Sequence, residues 1–240
     1  MSRLNPPELR VICAGGFRAA MEAILPDVEA EVGVKLTLTF GTPARTRELV
    51  TVGQGFDAAV VTVVSVDQGA AAQLADDPRF VVARSLVGMG FHPSRGLRPV
   101  GTLPDLIAAI RSVETLGLSD PAVGTNLGAD LVVASERLGF AEDLRSRARF
   151  VMGPGSAVSG EVAKGVYDAV ITLASEIVTV PGVAYAGPIP DEIGIDFPFL
   201  AGMARSAQQP EIAKGFLNFL QGAAARRAME ATGLQVLTRP

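Results

Sequence analysis

Apolar residues fall along this chain in short runs separated by glycine, proline and hydroxyl residues. Leu9–Ala14 is a mainly apolar run of strand length, broken by Gly15-Gly16. From Phe17 to Val32 the apolar positions Phe17, Met21, Ile24, Leu25 and Val28 recur at helical spacing, and Gly33 supplies the stop. Val34–Phe40 alternates in the manner of a strand. Gly41-Thr42-Pro43 breaks it, and Pro43 suits the first turn of a helix through Val52, ended by Gly53. Asp57–Val64 is a third strand. The order β-α-β-α-β predicts a parallel, doubly wound sheet.

The pattern then repeats. Val66–Leu74 is a short helix, and Phe80–Gly90 reads as one strand. His92–Gly96 is a turn cluster. Thr102 caps a helix running to Arg111. Leu116–Ser119 is a strand, Ala129–Leu138 a helix closed by Gly139, Phe150–Met152 a strand, Ala157–Lys164 a helix and Ala169–Leu173 a strand. Ser175-Glu176 starts a turn. Val183–Gly187 and Ile195–Gly202 are strands, and Pro210–Gly222 and Ala223–Thr232 are helical. The βαβ pattern thus occurs twice, before and after about residue 88. The closing helices are expected to return to the first half. The expected organisation is an α/β protein of two lobes, residues 1–87 with 199–240, and 88–198. Each lobe is a mainly parallel sheet flanked by helices, and crossings near Leu86–Phe91 and Phe197–Gly202 form a two-segment hinge.

Composition narrows the function classes. The chain of 240 residues is 48 % hydrophobic but only 5 % aromatic with no Trp, so its core must be aliphatic, as buried parallel strands require. The net charge is −4 with scattered basic residues, which excludes a nucleic-acid footprint. One cysteine, Cys13, and one histidine, His92, rule out an internal disulfide and disfavour a zinc or nickel site. No cofactor is expected. No apolar run approaches a membrane span. The opening MSRLNPPELRV has no signal-peptide core, from which a cytoplasmic location is expected, or a periplasmic one if a leader has been removed.

The candidate chemistry lies at four strand-to-helix junctions: Ala14-Gly15-Gly16 with Phe17, Gly41-Thr42, Gly124–Gly128, and Gly155-Ser156. A helix N-terminus exposes unpaired N–H groups and partial positive charge, and small residues let an anion approach them. In open α/β sheets these junctions sit at the carboxyl ends of the strands, where ligands bind. None carries GxGxxG or GxxxxGK[ST], which disfavours a dinucleotide or nucleoside triphosphate.

The stretches "LRVICAGGFRAAMEAILPDVEAEVGVKLTLTFGTPARTRELVTVGQGFDAAVV", "LGLSDPAVGTNLGADLVVASERLG", "GEVAKGVYDAVITLASEI" and "PEIAKGFLNFLQGAAARRAMEATGL" resemble the molybdate-binding proteins of ABC importers over nearly the whole chain. "LTFGT" and "SEIVTVPGVAYAGPIP" resemble a side branch of that family, to which the aconitate isomerases are similar. The resemblance implies the two-lobed type II periplasmic-binding-protein fold, a small anionic ligand held in the cleft, an ABC permease as partner if the protein is exported, and a monomer or weak homo-oligomer. The junctions and the resemblance together give candidate ligand contacts at Gly15, Gly16, Phe17, Gly41, Thr42, Asn126, Leu127, Gly128, Ser156, Ala157, Val158 and Thr172; the resemblance implies the Thr42 hydroxyl and backbone donors near Asn126–Gly128 and Val158. The chain departs from the family at Gly16, where a serine is usual, and at Leu173, where a tyrosine is common. These departures point away from molybdate and toward an organic anion.

Two function classes follow. One is a solute-binding protein that closes on an oxyanion or carboxylate. The other is a cofactor-independent isomerase of an unsaturated polycarboxylate, which needs a base, an acid and a carboxylate cradle. Thr42, Arg45, Asn126 and Ser156 are candidates for the cradle, Arg45 through a bidentate pair. Glu176 is a candidate base, with helix capping as its other reading; His92 and Ser159 read more simply as turn and capping residues. No catalytic residue stands out. A regulatory domain is the third class, and no DNA-reading helix-turn-helix accompanies it.

Overall fold

A computed structural model describes residues 7–123 and 127–237. The first five main elements follow the expected order: β1 (Glu8–Ala14), α1 (Arg18–Val32), β2 (Lys35–Gly41), α2 (Pro43–Val52) and β3 (Ala58–Thr62). Short 3-10 turns follow β1 at Gly15–Phe17 and β3 at Val63–Ser65. Next come α3 (Gln68–Gln73), β4 (Leu74–Ser85), β5 (Val87–Phe91) and α4 (Leu103–Arg111). After these stand β6 (Leu116–Ser119), α5 (Leu127–Leu138), α6 (Ala141–Arg147), β7 (Ala148–Val151), α7 (Gly155–Ala163) and β8 (Ala169–Leu173). A 3-10 turn at Ala174–Glu176 leads to β9 (Ala184–Pro188), β10 (Phe197–Ala204), α8 (Pro210–Phe219), α9 (Ala223–Ala231) and β11 (Leu234–Val236).

Several boundaries differ from the pattern. The run Phe80–Gly90 is two strands, because the chain leaves one sheet at Ser85 and enters the other at Val87. The first helix begins at Arg18, behind a 3-10 turn, and α7 begins at Gly155 rather than Ala157. The short helix α6 is new; its Leu144 alone is buried, too little apolar periodicity to be seen in sequence.

The contacts divide the chain into two compact units. One runs through Arg84 and resumes at Pro198; the other is Ser85–Phe197. The expected seams at 87/88 and 198/199 lie close to these. The first unit holds a six-stranded sheet in the order β11-β4-β10-β3-β1-β2, the second a five-stranded sheet in the order β7-β6-β8-β5-β9. Each has a parallel centre, β2-β1-β3 in the first and β7-β6-β8 in the second, and gains an antiparallel strand where the chain crosses, β10 beside β3 and β5 beside β8.

The centres are buried as the aliphatic composition requires. Every residue of β3 and β8 is buried. Ile12, Ala59 and Val61 pack with Val50 of α2 and with Phe56 and Leu74 in the first unit. Val158 and Val162 of α7 pack on Val170 and Ile177 in the second. A buried aspartate stands just before the third parallel strand of each unit. Asp57 accepts from the Arg10 and Gln208 backbone N–H groups at 3.0 and 2.9 Å and pairs with the Arg10 guanidinium. Asp168 accepts from the Glu114 and Thr115 N–H groups at 2.8 and 3.0 Å and pairs with Arg95 at 2.7 Å. Burial works upward on both carboxyls, but the N–H donors and the arginines hold both below the ordinary aspartate value. Among the described residues no helix is long and apolar enough to cross a membrane.

Candidate functional site

In the first unit the parallel register sets Ala14 opposite Gly41, so β1 and β2 end together. A Cβ on Gly15 would stand 3.6 Å from the Gly41 carbonyl oxygen, which brings the first two predicted junctions side by side. Gly15-Gly16-Phe17 form the 3-10 turn. The Phe17 ring is fully buried against Phe199, centroids 5.4 Å apart, so this residue offers backbone and not side chain. Thr42 is the N-cap of α2, its hydroxyl accepting from the Arg45 N–H at 3.4 Å. Arg45 is exposed and pairs with Glu48 at 2.7 Å; its Cγ lies 3.0 Å from where a Gly41 Cβ would be.

Sequence reasoning missed two features here. Arg18, the first residue of α1, lays its guanidinium 3.7 Å over the Phe40 ring and pairs with Glu22 at 3.2 Å, so a second arginine stands beside the end of β2. Beneath the turn lies a buried hydroxyl chain. Ser65 Oγ is 2.7 Å from Thr62 Oγ1 and donates to the Pro43 carbonyl at 3.0 Å, while Thr46 Oγ1 donates to Ser65 Oγ at 3.2 Å. This ties the end of β3 to the first turn of α2.

In the second unit the third junction falls partly outside the described residues, Asn126 included. Leu127 and Gly128 open α5, both buried. A Cβ on Gly128 would meet the Ser119 carbonyl oxygen at 2.7 Å and the Phe150 ring at 3.3 Å, so this glycine is there for the close approach of α5 to β6.

The fourth junction is organised differently from the expectation. Glu176 is buried against the start of α7, and its carboxylate accepts from the backbone N–H groups of Ser156, Gly155 and Leu173. The Thr172 hydroxyl, itself buried, donates to it at 2.9 Å. The Ala157 and Val158 N–H groups go to the Pro154 carbonyl at 2.9 and 3.3 Å. The donors assigned to a ligand at Ser156, Ala157, Val158 and Thr172 therefore serve the chain itself. The physical reason is that a buried helix end must satisfy its N–H groups, and a glutamate on the neighbouring turn does so. Gly155 follows from this: a Cβ there would lie 1.9 Å from Thr172 Oγ1 and 2.2 Å from Glu176 Oε2. Burial pushes the Glu176 carboxyl above its ordinary value, while the four donors pull the other way.

The remaining candidates are local. His92 caps a 3-10 turn, its Nδ1 2.7 Å from Ser94 Oγ. Ser159 is fully buried in α7 and caps nothing; its hydroxyl has no hydrogen-bond partner among the described residues. Cys13 is fully buried, and burial pushes its thiol far up. Among the described residues no group of His, Cys, Asp or Glu is arranged to hold a metal ion.

The family model of bacterial extracellular solute-binding proteins matches residues 9–235. The chain belongs to this family. It is 24 % identical over 233 residues to an aconitate isomerase from a Pseudomonas species, covering 95 % of this chain and 87 % of that protein, in line with the side-branch resemblance. The periplasmic molybdate-binding protein of Azotobacter vinelandii superposes with a TM-score of 0.74 at 15 % identity, over 96 % of this chain and 100 % of that one. Campylobacter jejuni PEB3 with L-phospholactate bound superposes with a TM-score of 0.69 at 18 % identity, over 95 % of this chain and 100 % of that one. The fold is that of the type II periplasmic binding proteins.

Proposed function

We propose that this solute-binding protein takes a small organic anion, with the charge of the ligand held by the first unit. The observation that carries this reading is the pair of glycine turns at the ends of β1 and β2, with Gly15 against the Gly41 carbonyl. Two helices start there, Thr42 offers a hydroxyl, the Arg18 guanidinium lies over Phe40 and the Arg45 stem lies against Gly41. A carboxylate suits such donors, since arginine binds it through two parallel hydrogen bonds. The solved relatives that share the fold hold small anions: one binds molybdate, an inorganic oxyanion, and another was seen with L-phospholactate, an organic one. An ABC permease is the partner this reading expects for an exported form. Calorimetry against inorganic oxyanions and against di- and tricarboxylates tests it. Heat of binding with at least one carboxylate is expected, and silence across both panels would sink the reading.

A second reading is favoured by the relative of 24 % identity, an aconitate isomerase. A proton would leave one carbon of an unsaturated polycarboxylate and another be added two carbons away as the double bond moves. Incubation of cis- and trans-aconitate in deuterium oxide, followed by NMR, separates the two. Exchange supports the isomerase; tight binding without exchange leaves the binding protein.

A further inference from the structure

The two units start their third parallel strand alike and finish it differently. Phe56-Asp57-Ala58 opens the first and Tyr167-Asp168-Ala169 the second, each with its buried aspartate. Each strand runs into a 3-10 turn, Val63–Ser65 or Ala174–Glu176, with near-identical backbone at the residue before it, φ −64 and ψ 144 at Thr62, φ −62 and ψ 137 at Leu173. Ser65 and Glu176 are therefore equivalent, each the third residue of its turn. Ser65 reaches a carbonyl, that of Pro43, in the first turn of α2. Glu176 reaches N–H groups, those of Gly155 and Ser156, in the first turn of α7.

The position of the Glu176 carboxylate is the one an external anion would take at a helix start. Its partners are Thr172 Oγ1 and three backbone N–H groups, all donors, so the arrangement matches the ionised form. Gly155 leaves no room for even a methyl group between helix and carboxylate. We propose that Glu176 is a tethered anion that fills the α7 helix end and so determines the ligand class, barring a fully ionised inorganic oxyanion from the second unit and leaving the ligand charge to the first. This rests on the organic-anion reading above. The carboxylate is buried against the start of α7 and bonded to Thr172, so its part is to set specificity.

The test uses the full chain with Glu176→Ser, which places in the second unit the residue found in the first, and Glu176→Gln. Formate is the probe, because it restores the missing carboxylate without needing the natural ligand. Thermal unfolding of E176S should rise with sodium formate beyond the response to equal sodium chloride, while wild type should show no such difference. In calorimetry, E176S should bind molybdate or sulfate about tenfold or more tighter than wild type. E176Q keeps the shape but turns an amide NH2 toward N–H donors, so it should be less stable than wild type and gain nothing from formate. Equal formate responses in E176S and wild type would overturn the proposal. So would an E176Q as stable as wild type, a result that decides the matter even if E176S does not fold. If formate rescue appears but wild type binds no organic acid, the organic-anion reading fails while the tethered anion stands.

Discussion

At the end of β3, Ser65 ties into a chain of hydroxyls and the Pro43 carbonyl, and the start of α2 keeps Thr42, Arg45 and the neighbouring glycines around it. At the end of β8 the same backbone position carries a carboxylate that takes the N–H groups of α7 for itself. One helix start is held from below by hydroxyls and capped by Thr42; the other is closed from within by a carboxylate. A strand-end helix start is thus an anion seat only when nothing in the chain already sits on it. The glycine-rich sequence of both junctions does not reveal which case applies.

The features that the units share should respond alike. Asp57→Ala and Asp168→Ala each remove a buried acceptor of several backbone N–H groups and orphan an arginine, and Asp57→Ala should cost about 3 to 4 kcal/mol. Urea denaturation of both variants checks this, and a loss confined to one unit would break the equivalence on which the comparison rests. Gly155→Ala comes next. Its methyl would overlap Thr172 and Glu176, so about 3 kcal/mol is expected, whereas Gly41→Ala meets the Arg45 stem and the Thr46 methyl at 3.0 to 3.3 Å, a milder contact that should cost about 1 kcal/mol. Equal costs would mean that the α7 end is not closed as described.

Smaller effects sharpen the contrast between carboxylate and hydroxyl. Thr172→Val removes a donor to an ionised group and should cost about 2 kcal/mol, against about 1 kcal/mol for Ser65→Ala, which loses neutral hydrogen bonds. Chemical denaturation of the two single variants measures the gap. The pH dependence should also differ. Asp57 and Asp168 are held low, so their contribution is present above about pH 4 and lost as pH falls. Glu176 is raised, so its contribution is fully present below about pH 4.3 and declines as pH rises through its folded value. The stability of wild type relative to E176S should therefore shrink as pH rises from 4 toward neutrality. A difference that grows with pH would contradict the raised value.

Much of the fold could be read from the chain. The glycine stops at Gly33 and Gly53 and the caps at Thr42 and Thr102 mark helix ends by local chemistry, which sequence carries directly. The split between β4 and β5 could not be read, because an apolar run looks the same whether it stays in one sheet or passes between two. The site was legible in its loops and not in its partners. Gly15, Gly41 and Thr42 are local signals, and the parallel register brings them together at the ends of β1 and β2. Ser156 was read as a donor to a ligand because Glu176 comes near it only once α7 has packed on β8, whereas Thr172 lies only four residues before Glu176 and their bond is local. A signal was present: the aromatic-Asp-Ala starts at Phe56 and Tyr167 align Ser65 with Glu176. Arg18 was passed over because nothing local announces that its guanidinium stacks on Phe40.

The measurement that bears most directly on this account is calorimetric titration of the wild-type protein with molybdate, sulfate and a set of di- and tricarboxylates under one buffer. The account predicts binding to an organic carboxylate and none to molybdate or sulfate, because Glu176 already occupies the second helix end. Tight binding of molybdate, with no organic acid bound, would contradict it.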